Sequence, residues 1–308
     1  MKILYDLYDK KCLEEQPLSL CVFRRIFNTK FNLHFHGPQT NTCQTCDHSI
    51  NGYVNAADKN KYLAEKELHQ RKTEAAKESR KRDIERSLRE KSIKVFVFDL
   101  QKTLPTPVLS TGIAYYKRQL WTYNLCVHDE IAKTGFKYIW NETIASRGAQ
   151  EVASCLIQHI QKFVPGDIKR LIFYSDSCGG QNRNIKIILL LAHLLDNSTH
   201  LQLIDFKYFI PGHSFSSCDQ NFAVIEKAKK FHPDIFIPDQ WVDIIATAKK
   251  TQTKFVVQNM TTKKFVSSRS LERSITNPKY EMDQVRKRVT NCSKIQDYPP
   301  RRCCVFAN

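Results

Sequence analysis

The sequence predicts a mixed α/β protein built on a five-stranded sheet flanked by helices. Two observations point there. Short β-branched and aromatic runs such as IKVFVFDL (93–100) read as buried strands, and they alternate with apolar residues at helical spacing, as in GAQEVASCLIQHIQKFV (148–164). Hydrophobic residues also make up 42% of the 308, enough for a packed core. No apolar run approaches the roughly 20 residues that span a bilayer, so no membrane partner is expected.

The elements follow in order. Residues 1–57 read as an irregular, aromatic-rich segment in which CVFRRIFNTKFNLHF (21–35) forms a helix and then a strand. Residues 58–91 lack Gly and Pro, consist of strong helix formers, and place opposite charges three or four apart. They predict one long, mostly solvated helix, roughly 50 Å at 1.5 Å per residue, able to pair weakly with a second copy. Within 92–237, strands are expected at IKVFVFDL, YYKRQLWTYNLCVHD, KYIWNE, KRLIFYSD and LQLIDFKYFI. Helices are expected at GAQEVASCLIQHIQKFV, RNIKIILLLAHLLD and SCDQNFAVIEKAKK, the last capped by Ser217 with Gln220 three residues on. Residues 238–308 read as a small extension: a helix at QWVDIIATAKK, a β-pair from KFVVQNM and KFVSS, and a fraying tail. Trp121 and Trp140 are expected in the core.

Charge narrows the partners. The formal net charge is +17. An excess of that size implies an acidic partner, most plausibly nucleic acid; the family resemblance given below implies DNA. The N-terminus lacks the apolar stretch of a signal peptide, and its abrupt start reads as the interior of a longer protein. The 11 cysteines, an odd count, speak against a disulfide framework and for a nuclear or cytoplasmic, not secreted, protein. Cys126, Cys155, Cys178 and Cys218 lie in or beside apolar segments and read as buried thiols.

CQTC (43–46) is a short chelate of the kind structural zinc uses, but zinc needs four ligands. His69, among the charges of the long helix, has little reason to be in a core. Cys43, Cys46 and His69 are therefore the expected ligands, with His36 the best fourth and Cys21, His34 and His48 in reserve.

Carboxylates recur at strand ends. Asp99 ends the first strand of the 92–237 region, Asp176 ends the fourth, and Asp219 and Glu226 lie on the helix after the fifth. This order of elements resembles the ribonuclease H-like fold of ribonuclease H, retroviral integrases and cut-and-paste transposases. FDLQKTLPTP, ASRGAQEVASC, SDSCGGQNRN and PGHSFSSCDQNFAVIE resemble, more closely, a family of transposon-related proteins abundant in insect and other invertebrate genomes. The resemblance runs from about Phe23 to Ala248. It implies Asp99, Asp176 and a third acid, Asp219 or Glu226, holding two Mg²⁺ or Mn²⁺ ions for cleavage or strand transfer of DNA phosphodiesters. It also implies a histidine at the place of His69. Gln181, Asn182 and Arg183 are suited to contact phosphate or bases. His213 is placed to shuttle protons, and Glu151 matches a glutamate that ribonuclease H enzymes use. Two other readings stand beside this one: a catalytically inactive, domesticated transposase that binds DNA or assembles, and a nuclease acting on RNA or RNA–DNA hybrids.

Overall fold

The computed structural model describes residues 2–12, 17–31, 43, 46, 56–111, 118–213, 216–250, 253–274 and 303–307. The chain divides into two compact units, Met1–Thr42 and Cys43–Asn308.

The first unit holds two helices: α2 (Leu20–Lys30) lies where a helix was expected at the start of 21–35, while α1 (Lys2–Lys11) forms where the sequence read as irregular. Ser19 caps α2 by accepting from the amide of Val22. Tyr5, Tyr8 and Phe23 pack as an aromatic cluster between the helices. These three rings hold the two helices together. The strand expected after α2 lies outside the described residues.

The second unit opens with α3 (Ala56–Arg89) and continues as β1 (Ile93–Leu100), β2 (Leu104–Thr106), β3 (Leu120–Asp129), β4 (Thr134–Asn141), α4 (Ala149–Phe163), β5 (Arg170–Ser175) and α5 (Ile185–Asp196). Then come β6 (Leu203–Tyr208), α6 (Ser217–Lys229), α7 (Pro238–Thr247), β7 (Val256–Asn259), a short helix α8 (Arg269–Ser274) and β8 (Cys303–Ala307). All five expected strands and all three expected helices of the 92–237 region are present. The sheet is larger than expected: eight strands in the order β7-β4-β3-β1-β5-β6-β8, with β2 paired to β3. β1 is antiparallel to β3 and β3 to β4, while β1, β5 and β6 run parallel.

The additions correct two expectations. KFVVQNM and KFVSS do not pair with each other; Val256–Asn259 joins the sheet edge parallel to β4, and Thr262–Lys264 turns as a 3-10 helix. The end of the chain does not fray throughout, since Cys303–Ala307 extends the other edge beside β6. Short runs cannot reveal their partner, because an edge strand is defined by the strand it meets.

The sheet is buried on both faces, which is why β1 reads as a continuous apolar run instead of an alternating one. On one face Phe96, Phe98, Phe173 and Phe206 meet Val152, Leu156, Leu190 and Leu191 of α4 and α5. On the other, Val95, Val97, Ile172 and Tyr174 pack with Cys218 and half-buried Ile84 and Phe222. A third cluster seats α6 and α7 through Ile225, Trp241, Ile244 and Ile245. Trp140 is in the core as expected, but Trp121 is 36% exposed, on the strand end that pairs with short β2.

The long helix is less solvated than its composition suggests. Its C-terminal half docks on the sheet through polar anchors. Ser87 donates to the carbonyl of Ile93 at 2.7 Å, Asp83 accepts from Lys207 Nζ at 2.6 Å and from the Tyr174 hydroxyl, and Arg80 reaches Glu130 at 2.7 Å and Ser217 at 2.9 Å. Polar anchoring has no hydrophobic period, so this contact is silent in the sequence pattern. The Glu130 side chain is 2% exposed. Burial pushes its carboxyl up, but hydrogen bonding from Ser217 and the Arg80 guanidinium bring it below its ordinary range. A depressed carboxylate stabilises the fold above its unfolded pKa and loses that contribution as pH falls through the folded one. Arg80→Ala, which strands a buried charge, should therefore cost about 3 kcal/mol in urea unfolding at pH 7. The difference from wild type should shrink as pH falls through the depressed range in which folded Glu130 takes up its proton.

Candidate active site and metal centre

β1 and β5 run side by side and parallel, with Val97 opposite Tyr174. Two residues further along each strand, Asp99 and Asp176 come level at the same end of the sheet, on neighbouring strands whose axes lie about 4.8 Å apart. Residues 93, 95, 97 and 99 of β1 share the face covered by α3 and α6, so Asp99 points towards α6. Burial, then the Asp176 carboxylate, and to a smaller degree Asp219, push Asp99 up to about 7; only the amide of Leu100, at 2.8 Å, opposes the shift. The three aspartates are therefore in electrostatic contact. Neighbouring carboxylates of this kind favour the protonated form of one of them; among the described residues it is the Cys/His group described below, and not these acids, whose ligand atoms all lie within 4.8 Å of one another.

Asp176 is held on one side only. Its Oδ1 accepts from the amide of Cys178 at 3.3 Å and from the side-chain amide of Asn182. Asp219 takes a position different from the one expected. The N-cap of α6 is Ser216, and Asp219 is the third helical residue; its Oδ2 accepts from the Ser216 amide at 2.8 Å and hydroxyl at 3.0 Å. Glu226, two turns on, accepts from Gln101 Nε2 at 3.1 Å, and Gln101 in turn accepts from buried Asn124 at 2.7 Å. The stripe of α6 bearing both acids thus follows the end of β1.

The neighbours of this cluster are unusual. Asp99, Cys126 and Lys137 lie side by side across β1, β3 and β4. Lys137 is fully buried, and its ammonium stands 4.7 Å from the ring centres of both Phe222 and Phe255. Burial raises the Cys126 thiol, but hydrogen bonding with Cys218 and the Lys137 charge bring it below the usual thiol range. Cys155 and Cys218 are buried as expected, whereas Cys178 is exposed in the turn after Asp176.

Other expected site residues are placed elsewhere. Asn182 is 1% exposed and spends its amide on Asp176, so it does not face a nucleic acid. Gln181 and Arg183 flank it half-buried, with Arg183 over the Tyr208 ring at 5.6 Å. Glu151 is buried at the start of α4 and accepts from Ser146 at 2.9 Å, closing its own helix end.

His213 does not join the carboxylates. It stands in a second cluster with Cys43, Cys46 and His69, whose ligand atoms all lie within 4.8 Å of one another. Cys43 Sγ is 3.1 Å from His69 Nε2, and Cys46 Sγ is 3.5 Å from His213 Nε2. Those separations approach the roughly 3.3–3.8 Å edges of a tetrahedral zinc site with Zn–S near 2.3 Å and Zn–N near 2.0 Å. Burial, and next the His69 ring, hold His213 below its usual range, in the neutral form that ligates metals. The cluster can therefore bind a metal such as zinc. His213 takes the fourth place proposed for His36, which lies outside the described residues together with His34 and His48. Cys21 is exposed in the other unit. Gly212 makes the geometry possible: its φ is +80°, and a Cβ there would meet Cys43 Cβ and Sγ at 2.8 Å. The PGH triplet (211–213) was the one sequence signal, a glycine forced beside a histidine, but nothing local ties it to cysteines so far upstream.

No family model, curated protein or solved structure matches the chain. Among the described residues no helix is long and apolar enough to cross a membrane.

Two outcomes follow from this geometry. Gly212→Ala should cut bound zinc from about one per chain to well under half, as Cys43→Ser does, measured by metal analysis after gel filtration; full retention would show that the loop does not need this close approach. Asp99 gives a pH signature in divalent-free buffer. Its folded pKa is raised from an ordinary 3.8 to about 7. The folded state therefore holds the proton more tightly, and stability falls as pH rises across that interval. Asp99→Asn should remove this slope and leave the metal-free protein more stable at pH 8, by roughly 2–4 kcal/mol.

Proposed function

We propose that this is a transposase-derived protein with a ribonuclease H-like core that cleaves or joins DNA phosphodiesters, with Asp99, Asp176 and Asp219 as its metal-holding acids. The observation that carries the reading is the parallel pairing of β1 with β5, which sets Asp99 and Asp176 level and in mutual repulsion. The central strand order β4-β3-β1-β5-β6, with the first three antiparallel and the last three parallel, supports the fold assignment. When bound there, paired Mg²⁺ or Mn²⁺ would activate a water or 3′-hydroxyl and stabilise the leaving oxygen.

The chain's own residues do the rest. Asp99, whose carboxyl is pushed up to about 7 without a cation, would give up any remaining proton on becoming a ligand. Asp176 offers Oδ2, since Oδ1 already takes two donors. Asp219 is favoured over Glu226 because its charge adds to the shift at Asp99; its Oδ2 is taken by Ser216, which leaves Oδ1 to a cation. Gln181 and Arg183 border the acids and suit a phosphate backbone, in keeping with the net charge of +17. Cys43, Cys46, His69 and His213 would hold a metal such as zinc, tying α3 to the residues just before α6 and so serving the position of Asp219.

The test is nicking of labelled DNA with Mn²⁺ or Mg²⁺. Asp176→Asn and Asp219→Asn should each reduce it on the order of a hundredfold or more, because each removes several kcal/mol of charge stabilisation. Glu226→Gln should retain most activity; the reverse pattern would pass the role to Glu226. Salt-sensitive DNA binding without any cleavage would favour a non-catalytic protein, and preferential cleavage of RNA–DNA hybrids would favour the other nuclease reading.

A further inference from the structure

We infer that Asn182 is a positioning residue for the carboxylate centre: its buried side chain fixes the Asp176 carboxylate so that one oxygen is reserved for a divalent cation. The inference rests on the metal-binding reading above and names a residue that this reading does not require.

Asn182 is held from several directions. Its side chain is 1% exposed, its amide donates to the Cys178 carbonyl at 2.8 Å, and its own carbonyl accepts from the Tyr208 hydroxyl at 3.3 Å. The turn that carries it is pinned further, because the Cys178 carbonyl also accepts from the amides of Gln181 and Arg183 at 3.2 and 2.9 Å. From this anchored place Asn182 Nδ2 donates to Asp176 Oδ1, the oxygen that also accepts from the Cys178 amide. Both donors fall on the same oxygen.

That choice has a physical consequence. A carboxylate at a strand end rotates freely about its last torsion and presents either oxygen. Two donors on Oδ1 restrain the rotation and leave Oδ2 as the oxygen outside these two bonds. The amide cannot turn over, because its oxygen would then face the carboxylate. Asn182 Oδ1 is buried with no hydrogen-bond partner among the described residues. An unpaired buried acceptor costs stability. The chain keeps an amide here although half of its bonding capacity is unused, so the half that is used is the reason for its presence. A side chain needed only for packing would be apolar. The GGQNRN stretch (179–184) therefore has two jobs: its flanking Gln181 and Arg183 are available to a substrate, and the residue between them is turned inward.

The test is Mn²⁺ binding, followed by calorimetry on the full chain with its zinc in place. Asn182→Ala should weaken Mn²⁺ binding by roughly tenfold to a hundredfold, the range for losing a group that orients a metal ligand. Asp176→Asn should abolish it. Asn182→Ser, whose hydroxyl is too short to reach the carboxylate, should behave like the alanine variant while keeping a buried polar group if alanine fails to fold. Zinc content and metal-free thermal unfolding should stay close to wild type in whichever variant is compared. Mn²⁺ binding unchanged in a folded Asn182 variant would overturn the positioning role and leave the carboxylate centre intact. No Mn²⁺ binding by wild type would overturn the centre itself and this role with it.

Discussion

The pairing of β1 with β5 is the constraint on which the rest depends. It joins the antiparallel half of the sheet to the parallel half, and its register decides which side chains are neighbours. A slip by one residue would turn Asp176 to the opposite face from Asp99. The slip is prevented by bulk: Phe96, Phe98 and Phe173 fill one face, and Val95, Val97, Ile172 and Tyr174 fill the other. The repulsion between two aspartates is thereby imposed by apolar packing many times larger than itself. Hydrophobic burial of aromatic side chains, worth roughly 1.5–3 kcal/mol each, keeps together charges that would separate if left to themselves.

The same face of the sheet carries an unusual density of buried polar groups. Lys137 lies fully buried between two phenylalanine rings, with Cys126 beside it and Asp99 beyond. A cation that close to two aromatic faces is partly compensated by their quadrupoles, and a thiol drawn towards its thiolate compensates it further. Arg80, Glu130 and Ser217 form a second buried network where α3 crosses the start of α6. α6 is thus fixed by polar contacts at its N-terminus and by Ile225 further along. That fixing sets where Asp219 and Glu226 stand relative to the end of β1.

The Cys43, Cys46, His69 and His213 cluster addresses the same problem from outside the sheet. Cys46 and His213 are 167 residues apart in the chain. A metal at this place would close a very long loop and hold the segment before α6 against the long helix, whose half-exposed surface offers little apolar area for the purpose. The left-handed Gly212 is what lets the two segments come this close.

The sequence by itself determined the elements and the strand-end places of Asp99 and Asp176, because periodicity, strand propensity and turn residues act over a few neighbours. It also marked Cys43, Cys46 and His69 as candidate ligands, which the structure brings into one cluster, since a short chelate and a histidine out of keeping with its helix are local signals. Tertiary structure alone decided what depends on distant partners. It put Val256–Asn259 and Cys303–Ala307 on the sheet edges, gave His213 to the cysteines instead of the aspartates, moved the cap of α6 to Ser216, and turned Asn182 inward to Asp176. In each of these cases the side chain had several chemically reasonable roles. Which one it took was set by the group that packing brought within about 3 Å, the reach of a hydrogen bond or a metal ligand, and local pattern holds no record of that.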